Sequence, residues 1–139
     1  MKMDWRLVAA VAAGGAIGSV ARYLIGAFIQ DRVTMALPLG TLVINVVGAL
    51  LLGFFVRLGL ETSALSPEMR FFLTTGFCGG FTTFSTFSYE TFRLVEDGEY
   101  ATAGVYITSS VVLALLACAI GMGAARGLIS IGRAGLSAD

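Results

Sequence analysis

Residues Gly76 to Phe87 (GFCGGFTTFSTF) gather more reactive and conformationally unusual positions than any other stretch of the chain. Glycines at 76, 79 and 80 stand among Phe77, Phe81, Phe84 and Phe87, with hydroxyls at Thr82, Thr83, Ser85 and Thr86. Glycine lowers helix stability and opens backbone angles closed to other residues, so Gly79-Gly80 followed by two threonines marks a place where a helix breaks. In hydrocarbon a broken backbone survives only where it is buried in protein or lines a wet cavity. The carbonyls that it frees are oxygen ligands ready for a cation. Phe84 and Phe87 are three apart and share one helical face. Their rings either pack as core or turn a weakly positive edge toward an anion.

Other polar groups fall on apolar stretches. Asn45 lies near the centre of the uncharged run from Val33 to Val56. A side-chain amide at that depth needs a partner or a polar cavity, so it bonds two helices together, lines a pore or stabilises the break. Arg22 is the only charge between Leu7 and Gln30 and shares a face with Gly14, Gly18 and Gly26. It snorkels from a helix end, faces protein, or guards a wet entrance that attracts anions. Thr102, Tyr106 and Ser110, spaced by four with Ser109 beside them, form a polar stripe that stops at Leu113 and Ala114. It serves either hydrogen bonding between helices or a track for a solute. Glu90 is the first acidic residue after the glycine-phenylalanine stretch, one turn beyond Phe87.

Enzyme chemistry finds little support. There is no histidine in the chain, which removes the commonest general base and metal ligand. The apolar runs contain neither a carboxylate pair nor a nucleophile motif. Cys78 and Cys118 each sit in apolar surroundings and read as small buried hydrophobes, not as a disulfide or a zinc site. Net charge is zero, so no nucleic-acid partner is indicated.

The elements that must carry these groups are membrane spans. With 57% hydrophobic and 13% charged residues, the chain lies far from the roughly 25% charge of soluble domains. Four spans are expected in a single all-α membrane domain, at about 7–30, 33–57, 71–93 and 101–126, with the break in the third. The first contains Arg22 and is not followed by a cleavage site, so it reads as a span, not a signal peptide. Trp5 is placed as an interfacial anchor. Pro38 is expected in the first turn of the second helix, and Ser66-Pro67-Glu68 as a capped start of the third. The tail after Arg126 reads as frayed. Gly14-xxx-Gly18 and Gly123-xxx-Gly127 have the spacing that lets helices approach closely. Lys2, Arg6, Arg57, Arg70, Arg126 and Arg133 fall on one side of the membrane, against Arg32 and Arg93, with Arg22 if it belongs there, which favours termini in the cytoplasm.

GFCGGFTTFSTF, taken with Gly14-xxx-Gly18-xxx-Arg22, Pro38-x-Gly40-Thr41-xxx-Asn45-xx-Gly48 and the Tyr106/Ser110 stripe, resembles the Fluc (CrcB) family of fluoride channels. The resemblance runs through all four expected spans. It implies a fluoride-selective channel, not an enzyme, that exports cytoplasmic fluoride passively across the cell membrane. It implies a dual-topology homodimer of two antiparallel copies with two narrow pores. It also implies one structural Na⁺, not transported, held by backbone carbonyls that correspond to Gly79 and Thr82. Phe84 and Phe87 match the family's paired pore phenylalanines, Asn45 its pore asparagine and Ser85 its anion-contacting serine. Tyr106 and Ser110 match its hydroxyl track; Glu90 and Arg22 match vestibule positions. A fluoride pore must replace tightly held water with hydrogen-bond donors, which Asn45, Ser85, Tyr106 and Ser110 can supply. The alternative of a small four-helix multidrug transporter needs a membrane-embedded acid in the first span, where this chain has Arg22. A potassium-type filter at Thr75-Gly76-Phe77 is a fainter resemblance.

Overall fold

Asp4 opens the first helix by accepting a hydrogen bond from Arg6 N at 3.0 Å, and α1 runs over Trp5–Gln30. The computed structural model describes residues 3–33 and 36–136. Lys2, and residues 34 and 35 within the stretch assigned to the second span, lie outside the described residues. The second helix, α2, covers Leu39–Glu61. Pro38 immediately precedes it with φ −73° and ψ 73°, one position earlier than the expected first turn. Its ring fixes φ but its ψ is not helical, so the helix starts behind it.

The third stretch is assembled from pieces. Ser66 Oγ accepts from Met69 N at 3.2 Å, Pro67 takes the first helical position, and α3 covers Pro67–Phe71. A π-helical segment, Phe72–Cys78, follows, and then a single α-turn, α4, Gly79–Phe81. Phe72 and Gly79, at the junctions, keep helical dihedrals, so 67–81 is one continuous rod. Thr82 (φ −81°, ψ 158°) and Thr83 (φ −150°, ψ 114°) are extended, and α5 resumes over Phe84–Glu96. The break is therefore two residues later than the glycine pair suggested. Gly79 and Gly80 are helical because Gly80 serves contact: a Cβ there would lie 2.5 Å from the Gly15 carbonyl oxygen. The sequence offered no sign of the π segment, whose wider turn is a known companion of functional sites. It places Thr75-Gly76-Phe77 inside a helix, which removes the filter-loop alternative.

Gly98, with φ 78°, ends α5, and α6 covers Tyr100–Leu136. Its 37 residues make a rod of about 55 Å, so the stretch after Arg126 is helical up to residue 136, where fraying was expected. Among the described residues α1, α2 and residues 100–133 of α6 are long and apolar enough to cross a bilayer, with mean hydropathies of 1.6, 2.3 and 2.2. The broken third stretch contains no single helix of that length. The described elements are all helical, without a strand.

Two pairings hold these rods together: α1 against the 67–81 rod, and α2 against α6. The first is a backbone seam. A Cβ on Gly14 would run into the Phe72 carbonyl oxygen, and one on Gly18 into that of Phe77. From the other side, a Cβ on Gly76 would come within 2.9 Å of the Val11 carbonyl oxygen. Gly76 and Gly80, at the same spacing on the facing rod, pack on Gly14 and Gly15, while Gly18 lies against the Phe77 and Phe81 backbone. Gly123 and Gly127, read the same way, meet nothing within 4 Å among the described residues. A small cluster of Leu42, Leu94, Ala103 and Tyr106 joins α2, α5 and α6, with Phe87 packed against it.

Candidate functional site

Asn45 holds the break. Its Oδ1 accepts from Thr83 N at 2.8 Å and its Nδ2 donates to the Thr83 carbonyl at 3.1 Å. One amide thereby satisfies both main-chain groups of an extended residue that has no strand to pair with, the break-stabilising reading of Asn45. Thr83 then caps α5, its Oγ1 accepting from Thr86 N at 3.2 Å. Thr82 Oγ1 and Thr82 N both donate to the Cys78 carbonyl, at 2.9 and 3.0 Å. Gly48, opposite, leaves room for the Thr82 methyl, which a Cβ at 48 would strike.

A cleft of about 320 Å³ opens on one side of Thr83. Asn45, Thr82, Thr83, Phe84, Phe87 and Ser110 line it, with Ala49, Leu52, Val111 and Ala114 completing its apolar wall. The Phe84 and Phe87 rings lie 5.5 Å apart, centroid to centroid, and Phe87 lies 5.2 Å from the Tyr106 ring. Phe84 is 78% exposed in a single copy, whereas Phe87 is half-buried. Ser110 is 7% exposed and its Oγ is buried, with no hydrogen-bond partner among the described residues. Such a group is rare in a folded protein.

A second cleft, of about 310 Å³, lies across Thr83 and is more polar. Arg22, Gln30, Thr41, Thr86 and Glu90 contribute to it. Both Glu90 oxygens are engaged: Thr41 Oγ1 donates to one at 2.9 Å and Tyr106 OH to the other at 2.7 Å. This joins α2, α5 and α6 through one carboxyl group.

The site residues inferred from the sequence therefore separate into groups. Asn45, Phe84, Phe87 and Ser110 share the first cleft. Arg22 and Glu90 share the second. Tyr106 is fully buried and acts on Glu90 without lining either cleft. Ser85 is exposed and lines neither, its Oγ lying 3.2 Å from Thr83 Oγ1. Arg22 engages protein: its Nε donates to the Gly80 carbonyl at 3.1 Å, beside Ser19 Oγ at 3.4 Å. Thr83, Thr41 and Ser19 were not singled out as site residues. Thr83 carried a readable signal, a threonine at the start of a helix after a glycine pair; Ser19 carried one in its spacing of three from Arg22.

The main-chain oxygens of the break test whether a cation fits there. Between Cys78 and Thr83, the Cys78, Gly80 and Thr83 carbonyls accept the hydrogen bonds described above. Among the described residues, those of Gly79, Phe81 and Thr82 accept none from a side chain or across the break. Gly79 is exposed on the surface of a single copy. Unpartnered hard oxygens suit a small hard cation, and Gly79 and Thr82 are among them.

Residues 9–122 match the family model described as CrcB-like protein, camphor resistance (CrcB). The chain belongs to the CrcB family. It is 49% identical over 121 residues to a fluoride-specific ion channel FluC of Geobacter sulfurreducens, covering 87% of this chain and 98% of that protein. It is 50% identical over 120 residues to one of Nitrobacter winogradskyi, covering 86% and 95%. One of Rhizobium meliloti is 44% identical over 119 residues, covering 86% and 95%. Family membership and the long apolar helices make this a multi-pass membrane protein.

Proposed function

We propose that this chain forms a fluoride-selective channel that lets cytoplasmic fluoride leave the cell passively. The observation that carries the reading is the unpartnered Ser110 hydroxyl in the same cleft as Asn45 and the Phe84/Phe87 pair. A hydroxyl with its proton unclaimed and two ring edges can replace an anion's water without a fixed charge that would trap it. FluC relatives identical at about half of the aligned positions over nearly the whole chain point to fluoride as that anion. Hydrogen fluoride enters as a neutral acid, ionises in the cytoplasm and stays there as fluoride. A potential negative inside then drives it out through an open pathway.

The working unit is two antiparallel copies in the cell membrane. Large apolar side chains such as Phe84 and Leu115 (67% exposed) leave a single copy with much uncovered surface, and Gly123 and Gly127 have no partner in it. A second copy covers such faces. One Na⁺, held by the Gly79 and Thr82 carbonyls of both copies, satisfies oxygens that would otherwise be costly in a dry interior. It supplies charge to close the break and takes no part in permeation.

Fluoride efflux from proteoliposomes, with chloride as the control ion, tests the reading. Fluoride is expected to leave without a proton gradient while chloride is retained. Equal chloride flux, or flux that requires proton coupling, would sink it.

A further inference from the structure

Two donors from α1 meet on one oxygen of the break. Arg22 Nε reaches the Gly80 carbonyl at 3.1 Å and Ser19 Oγ reaches the same atom at 3.4 Å. In an unbroken helix that carbonyl would accept from the amide of residue 84, four positions on. Extended Thr82 and Thr83 remove that amide, and the α1 side chains stand in for it. Asn45 does the same for Thr83. Gly80 is engaged, while the oxygens of Gly79 before it and of Phe81 and Thr82 after it are left open.

We infer that Arg22, seconded by Ser19, is a positioning residue for the cation site. By holding the Gly80 peptide plane against α1, it leaves the Gly79 and Thr82 oxygens, and not that of Gly80, to an ion. The inference rests on the Na⁺ reading given above. The bond is made by Nε, which lies inside the arginine side chain, not by the ends of the charged fork. Glutamine carries an N–H the same number of bonds from its Cα without the charge; methionine keeps length and loses both. This separates positioning from the other role open to Arg22 in its polar cleft, attraction of anions by charge.

The test follows the melting temperature of the detergent-purified dimer, prepared throughout in N-methyl-D-glucamine chloride, as NaCl replaces that salt at constant ionic strength. A bound ion raises the melting temperature with a midpoint set by its affinity. For the wild type a rise is expected. Arg22→Gln is expected to keep the midpoint within about threefold, and Arg22→Met to move it up about tenfold, the scale of one lost hydrogen bond to a charged donor. Should Arg22→Met give no folded dimer, Ser19→Ala carries the test, with a midpoint raised about threefold. A wild type indifferent to Na⁺ would overturn the Na⁺ reading and this inference with it. A responsive wild type matched by Arg22→Met, or by Ser19→Ala where that variant must serve, overturns this inference alone. So does an Arg22→Gln protein as weakened as Arg22→Met.

Discussion

The two sides of the Thr82–Thr83 break are held by different physics. Before it, the 67–81 rod lies on α1 through glycines, and the limiting contacts are between main-chain atoms. After it, α5 has Phe84, Tyr89, Phe92 and Val95 exposed, and side chains tie it to its neighbours: Asn45 at its start and Glu90 with Thr41 and Tyr106 along its length. A backbone seam has one geometry, because a carbonyl pressed against a Cα cannot give. A side-chain tether can be lengthened, shortened or exchanged. The first side fixes main-chain carbonyls in place, and the second presents rings and hydroxyls at the first cleft.

The largest expected effect comes from breaking the seam. Gly14→Ala puts a methyl group into the Phe72 carbonyl and within 2.8 Å of Phe77 N, and neither atom can swing aside. A cost of about 2–3 kcal/mol or more is expected, read as loss of the folded protein's peak on size-exclusion chromatography. Gly132→Ala, where a Cβ meets nothing within 4 Å, is the control and is expected to fold normally. Equal behaviour of the two would mean that the seam is not what fixes the rod. Next in size is Asn45→Asp. It keeps an acceptor for Thr83 N, loses the donor to the Thr83 carbonyl and adds an anion to the first cleft. Fluoride efflux is expected to fall at least tenfold, about the value of one charge-related interaction. Unchanged efflux would remove Asn45 from the pathway and leave it only as the keeper of the break.

The seam was half legible in the sequence. Gly14 and Gly18 announced a close approach by their spacing, but nothing said what they approached. Gly76 and Gly80 have the same spacing, yet Gly80 stands beside Gly79 and ahead of two threonines, which read as a break signal. Both uses of glycine are real, and only the packing on Gly15 decides between them. Asn45 was legible as a polar group too deep to be idle; its partner was not, because a bidentate bond to an extended backbone depends on a turn with no sequence period. Likewise Glu90, Thr41 and Tyr106 come from three helices, and no spacing along the chain brings them together. Phe84, Phe87 and Ser110 were readable because each sits on a helix face with a fixed period.

On the second side, Phe84→Ile and Phe87→Ile sharpen the contrast. Both remove an aromatic edge with a modest change of volume. Each is expected to lower fluoride efflux by up to about tenfold, the scale of one aromatic contact. Phe87 also touches Tyr106 and the small core, so its variant is expected to melt lower, while Phe84→Ile melts as the wild type does. Normal efflux from both would reduce the rings to packing.

Ser110→Ala is expected to have the smallest effect on efflux and to move stability the other way. Its hydroxyl is buried without a partner, and an unsatisfied buried group costs about 1–3 kcal/mol. Removing it takes that penalty out of the folded state and leaves a cavity smaller than a methyl group. The purified protein should therefore melt higher than wild type. Efflux should fall by only a few-fold, because Asn45 and the ring edges still line the cleft. The opposite signs are the content of the prediction. A side chain that serves folding loses both stability and flux when truncated, whereas one kept for a passing anion gives up stability in every copy that has no ion beside it. A lower melting temperature for Ser110→Ala would show that the hydroxyl has a structural partner in the assembled protein, and the cleft would lose its free donor.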